Sequence, residues 1–168
     1  MGLFSFLKSA GSKLLGNKAA ENDVKEAAVD TTNASMEALK EANNKSRAAA
    51  LASQVVGHGI AVENLDIVVD DDAATVYGQV ESTSAKEKII LIVGNTAGIA
   101  TVDDRISVMN PEPDATFYTV QEGDSLSKIA KEQYGDMMKY PAIFEANKPM
   151  LTSPELIYPG QVLRIPAQ

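Results

Sequence analysis

Apolar and polar positions along this chain switch between a helical and a strand period, and each switch marks an element. Leu51, Val55 and Val56 follow helical spacing in an Ala-rich stretch beginning at Ala48, and Gly57-His58-Gly59 ends it. Leu65 to Val69 alternates as a strand, Asp70-Asp71-Asp72 turns the chain, and Ala74 to Val80 returns as the hairpin partner. Ser84 with Glu87 reads as a capping box, and Ala85, Ile89, Ile92 and Val93 form the buried stripe of the helix behind it. Gly94 stops that helix, the loop Gly94 to Ile99 follows, and Ala100 to Val108 is a third strand.

A second set of signals starts at Tyr118. Tyr118-Thr119-Val120 is a short strand closed by Glu122-Gly123-Asp124, and Asp124 is read as the N-cap of the next helix. Leu126, Ile129 and Ala130 are its core face, and Gly135 ends it. Another helix begins near Asp136, with Pro141 in its first turn, and buries Ile143, Phe144 and Ala146 until Asn147-Lys148-Pro149 stops it. Pro159-Gly160 makes a turn into the return strand Val162 to Ile165.

The ordered set from Phe117 to Pro166, including Gln-Glu-Gly-Asp-Ser-Leu, Gln-Tyr-Gly, Glu-Ala-Asn-Lys-Pro and Tyr-Pro-Gly-Gln-Val-Leu-Arg-Ile-Pro, resembles the LysM domain. That resemblance implies a β-α-α-β module and a ligand of N-acetylglucosamine-containing glycan. Its groove would lie between Gly123, Asp124, Ser125 and Leu126 on one side and Met150, Leu151 and Ile157 on the other. The same positions also serve as turn and core residues of such a fold, so fold alone does not assign them to a ligand.

The α-β-β-α-β order before it, with Val-Tyr-Gly-Gln-Val at 76–80 and Val-Gly-Asn-Thr-Ala-Gly-Ile-Ala at 93–100, resembles the BON domain. BON domains occur in bacterial envelope and osmotic-stress proteins and are linked to lipid or protein binding. One BON followed by one LysM, behind a Met-Gly-Leu-Phe-Ser-Phe start, resembles the family of small bacterial BON/LysM potassium-binding proteins. The expected fold is α+β: an N-terminal amphipathic and Ala-rich helical lead over 1–45, a BON domain over 46–110, a Pro-containing linker over 111–116 and a LysM domain over 117–168. Residues 17–45 depart from the family pattern and are read as an inserted helix or a flexible lead.

Composition narrows the chemistry. The chain has 168 residues, enough for two small modules that are each near the lower limit of independent stability, so contact between them is expected. Fifteen Lys and Arg against 23 Asp and Glu give a net charge of −8, which disfavours nucleic acid and anionic membranes. The absence of Cys excludes disulfides and thiolate chemistry. No apolar run reaches transmembrane length. Lys8 interrupts the apolar residues Leu3, Phe4, Phe6 and Leu7, so a signal peptide is not read there and a cytoplasmic location is expected. Residues 3–15 are instead read as a short amphipathic helix, lying on the BON core or a membrane surface.

No catalytic constellation emerges, and a non-enzymatic monomer is expected. His58 is the sole histidine and lies between two glycines. The acidic run at 70–72 fails as a calcium loop because Ala74 and Thr75 occupy the fifth and sixth positions. The potassium binding implied by the resemblance has a different logic, since backbone carbonyls can replace the water shell of K⁺. Helix C-termini leave carbonyls free, and glycines let loops aim them. Two ends qualify: Leu7 to Ala10 before Gly11, and Ile92-Val93 before Gly94. The expected ligands of K⁺ are the carbonyls of Leu7, Ala10, Ser12, Val93, Thr96 and Ile99, with ordinary helix capping as the competing account. Binding would tie the N-terminal segment to BON and shift BON against LysM through the stiff linker 110–115. The alternative function is a peptidoglycan-binding or envelope-associated adaptor, with a glycan fragment or an unidentified protein as its partner.

Overall fold

The computed structural model describes residues 2–6 and 29–167. The first module contains β1 (Gly2–Ser5), α1 (Val29–Gly57), β2 (Glu63–Asp70), β3 (Ala73–Ser82), α2 (Thr83–Gly94) and β4 (Thr101–Asn110). The second contains β5 (Thr116–Thr119), α3 (Leu126–Tyr134), a 3-10 turn at Met137–Lys139, α4 (Tyr140–Ala146) and β6 (Val162–Ile165). The architecture is α+β, as the sequence pattern predicts.

The first sheet has the order β1-β4-β3-β2. β2 and β3 form the antiparallel hairpin around the acidic turn, while α2 carries the chain across to a parallel β3–β4 pair. β1 closes the free edge of β4, with Gly2 opposite Asp104 and Ser5 opposite Thr101. This corrects the helical expectation for residues 3–5. Leu3 is 74% exposed whereas Phe4 packs on the core, so the local period is two and the unpaired edge of β4 selects a strand. The rest of that predicted helix, including Leu14 and Leu15, lies outside the described residues.

Two predicted segments join in α1, whose residues 29–45 continue without a break into the helix through Leu51 and Val55. Leu51 and Val55 are buried, but Val56 is exposed, as are Met36 and Leu39 nearer the start. Lys40 reaches Asp71 at 2.9 Å and Asp70 at 3.6 Å, so this helix neutralises part of the acidic turn.

Helix α2 does not start with the predicted capping box. Its N-cap is Ser82, whose hydroxyl accepts from the Ala85 N–H at 3.2 Å. Glu87 is instead buried and faces the second module. Ile89, Ile92 and Val93 meet the sheet as expected, and Ile90 and Leu91 are buried too. The second half of this helix is apolar all round and requires cover on every side, which the first sheet and the second module share.

In that module β5 and β6 pair antiparallel, with Thr119 opposite Val162 and Thr116 opposite Ile165. Leu126, Ile129, Ala130, Ile143, Leu151, Leu163 and Ile165 make its core. The predicted cap at Asp124 moves one residue: Ser125 Oγ accepts from Lys128 N–H. Asp124 Oδ2 accepts from the Tyr118 hydroxyl at 2.9 Å and the Gln121 N–H at 2.8 Å, which closes the turn before α3. Gly135 ends α3 with φ +75, a backbone that L side chains rarely adopt.

The candidate ion loop and the seam between modules

The loop from Gly94 to Ala100 begins where α2 runs out of intrahelical donors. Asn95 N–H donates to Leu91 at 2.9 Å, Thr96 N–H to Val93 at 3.1 Å, and Ile99 N–H to Thr96 at 3.2 Å. The Val93 and Thr96 carbonyls therefore both already accept backbone bonds, and a carbonyl oxygen has two lone pairs. The Thr96 hydroxyl donates to the Ile92 carbonyl at 2.8 Å and lies 3.2 Å from Gln54 Oε1. Gly98, at φ +89, turns its carbonyl toward Arg47, whose Nη2 donates to it at 2.9 Å. The other Arg47 nitrogen donates to the Asp71 carbonyl, so one guanidinium ties the β2–β3 turn to this loop.

The chain's beginning reaches the same place. Phe6 N–H donates to the Ala100 carbonyl at 2.6 Å, and the Phe6 ring covers Gly94 so closely that any Cβ there would overlap it. Of the expected carbonyl set, Val93 lies in the last turn of α2, and Thr96 and Ile99 lie in the loop that follows it. Leu7, Ala10 and Ser12 lie outside the described residues. Among the described residues no three His, Cys, Asp or Glu side chains converge as a metal site. Calcium and magnesium sites depend on such carboxylates, whereas a carbonyl site does not.

The predicted glycan positions separate. Leu126 and Leu151 are each 2% exposed within the core, and Ile157 packs against it half-buried. Gly123 and Ser125 are exposed, with Lys128 Nζ donating to the Gly123 carbonyl at 2.7 Å. Met150 touches both cores, and Asn95 Nδ2 lies 3.3 Å from its sulfur.

Sequence reasoning missed the residues that join the modules. Asn95 turns both ends of its side-chain amide to β6, donating from Nδ2 to the Val162 carbonyl at 2.9 Å and accepting at Oδ1 from the Val162 N–H at 2.8 Å. Two residues on, Asn147 does the same to Arg164, with both bonds at 2.8 Å. Alternate residues of a strand point their backbone groups to the same edge, so the two amides cap the edge of β6 that faces away from β5. Arg164 Nε donates to Glu87 Oε2 at 2.5 Å, while Glu87 Oε1 accepts from Ala115 N–H at 2.8 Å. Thr83 Oγ1 donates to the Glu112 carbonyl and accepts from the Glu112 N–H, strapping the linker to α2. Lys88 lies at this seam, where burial, then the nearby Arg164 charge, hold its pKa below the ordinary lysine value. A cleft of about 300 Å³ remains beside Asn95, between Gln54 and His58 on one side and Tyr158 and Gln161 on the other. The only advance signal was a charged residue in each of two apolar runs, Glu87 before Ile89-Ile90-Leu91 and Arg164 within Val-Leu-Arg-Ile.

These two modules and their seam define a BON–LysM protein. A family model for the BON domain matches residues 42–110, and one for the LysM domain matches residues 118–166. The chain belongs to the family of the potassium binding protein Kbp of Escherichia coli, to which it is 43% identical over 169 aligned positions covering all of both chains. An uncharacterized protein of Deinococcus radiodurans is 32% identical over 131 positions, which span 71% of this chain and 51% of that one.

Proposed function

We propose that this chain is a cytoplasmic, non-enzymatic K⁺-binding protein that senses or buffers the ion and rearranges BON against LysM on binding. The observation that carries this reading is the full-length likeness to a potassium binding protein. The carbonyls of Val93, Thr96 and Ile99 form one half of the proposed site, and those of Leu7, Ala10 and Ser12 the other. In support, Phe6 is hydrogen-bonded to Ala100, so the segment carrying the second half leaves from the very loop that carries the first. Carbonyl dipoles suit a large, weakly hydrated monovalent ion better than a divalent one. In this mechanism K⁺ acts by binding one arrangement of the modules more tightly than another.

Calorimetric titration of the ion-stripped protein with KCl, against NaCl at matched ionic strength, tests the reading. Saturable K⁺ binding with little for Na⁺ supports it. No saturable heat, together with identical thermal melting in both salts, removes it. Gly11→Pro and Gly98→Val locate the site, since each restricts a backbone turn that the carbonyls need. Unchanged K⁺ binding in both variants would place the ion elsewhere.

The LysM match favours a second reading, an envelope-associated adaptor holding N-acetylglucosamine glycan or a protein partner. Fractionation of native cells separates the two: recovery with the envelope supports the adaptor, recovery in the cytoplasm supports the ion sensor.

A further inference from the structure

We propose that Asn95 is the residue through which K⁺ at the α2–β4 loop holds the LysM module in place. The inference rests on the K⁺ reading above and assigns the side chain that transmits it. Asn95 lies in sequence between Val93 and Thr96, two of the proposed carbonyl ligands. Its backbone N–H belongs to the end of α2, bonded to Leu91 at 2.9 Å, while its side chain crosses the seam to Val162. The two side-chain bonds, at 2.9 and 2.8 Å, reproduce what a neighbouring strand would give Val162.

A bidentate contact of this kind responds sharply to position. Hydrogen bonds weaken steeply once distance and angle leave their narrow range, so a displacement of about 1 Å in the loop opens both bonds. An ion drawing in the carbonyls on either side of Asn95 fixes the peptides that aim its side chain. Coupling of this type is reciprocal: if K⁺ favours the closed latch by some factor, closing the latch raises K⁺ affinity by the same factor.

The strand contains its own control. Val162 N–H depends on an acceptor in the BON module, whereas Arg164 N–H donates to Asn147 within the LysM module. Undocking therefore frees the first and leaves the second bonded.

The test is residue-resolved amide hydrogen exchange of the full chain in KCl and in NaCl at matched ionic strength. The expected result is exchange at Val162 slowed about fivefold or more by K⁺, the lower end of typical allosteric coupling, with Arg164 unchanged. In Asn95→Ala, Val162 should exchange equally fast in both salts, and K⁺ affinity should fall by the factor that wild-type Val162 shows. Asn95→Asp, which removes the donor to the Val162 carbonyl and keeps an acceptor, should lose part of the difference. If calorimetry shows K⁺ binding but Val162 exchanges alike in both salts, or Val162 and Arg164 slow together, the coupling role is wrong while the ion reading stands. If calorimetry shows no K⁺ binding, the ion reading fails and takes the coupling with it. The wild-type comparison decides even if a variant does not fold.

Discussion

Glu87 and Arg164, 77 residues apart, meet at 2.5 Å across the seam between the two modules, their side chains only 3% and 10% exposed. A buried pair is not in itself strong support for stability, because desolvation offsets much of the attraction. Its importance lies in what separation would cost. Any misdocked arrangement that keeps the seam dry but shifts the pair apart strands the α2 carboxylate, or the arginine of a strand whose four residues are all buried, without its counter-charge. The pair thus favours one docked register over loosely related ones.

Glu87→Ala should therefore destabilise the protein by about 3–5 kcal/mol, since it strands a buried guanidinium and removes the acceptor of the Ala115 N–H. The double variant Glu87→Met with Arg164→Met should regain most of that loss, because apolar replacements of similar volume often match a buried pair. Urea unfolding of the wild type and the two variants checks both expectations. A single variant as stable as the wild type would show that the pair is open to water in solution.

Gly94→Ala tests the seat of the N-terminal strand. The new methyl must displace the Phe6 ring, and overpacking of this kind costs about 1–3 kcal/mol. Phe6→Ala combined with Gly94→Ala removes the clash, so the second substitution should then be nearly neutral. Thermal melting of the single and double variants gives the comparison. On the proposed function the single variant also binds K⁺ more weakly.

The helix caps offer a local test. Ser82→Ala and Ser125→Ala should each cost about 1 kcal/mol by exposing an orphan N–H of the first turn. Ser84→Ala should stay within about 0.5 kcal/mol, since the structure assigns the capping to Ser82. Denaturant midpoints for the three variants decide between the two cap positions.

Tyr118 ties stability to alkaline pH. Burial first, and then its hydrogen bond to Asp124, push the phenol up from 10.0 to about 12. The folded chain thus keeps a proton that the unfolded chain releases. The contribution is fully present below about pH 10 and is lost as pH rises toward 12. Tyr118→Phe should flatten that part of the stability profile, which melting between about pH 9 and 11.5 measures. Tyrosinate absorbance of the folded wild type should show fewer phenols titrating near pH 10 than in the unfolded chain, since burial also raises Tyr158, and Tyr118→Phe isolates the share of Tyr118.

Much of the fold was legible because its signals are local. The alternation through Leu65 to Val69, the stripe of Ile89, Ile92 and Val93, and Gly135 after α3 each depend on neighbours within a few residues. The small errors have local causes too. Ser82 competes with Ser84, and Ser125 with Asp124, and cap geometry rather than residue type separates such adjacent candidates. For the candidate site, the glycines of the α2–β4 loop announced the turn, but not the groups that its carbonyls meet. Arg47, 51 residues from Gly98, and the Phe6 ring over Gly94 gave no sign.

By itself the sequence determined the order of elements from the helix through Leu51 onward, the two modules and the absence of thiol chemistry, because period, turn residues and composition are properties of the chain alone. Only the tertiary structure decided that residues 2–5 are a strand, since an unpaired edge of β4 about a hundred residues away selects it. It alone decided that Glu87 serves a docked arginine rather than a helix cap, and that Asn95 and Asn147 share the edge of β6. Such pairings carry no sequence period. They arise when two surfaces meet and each buried polar group requires a partner.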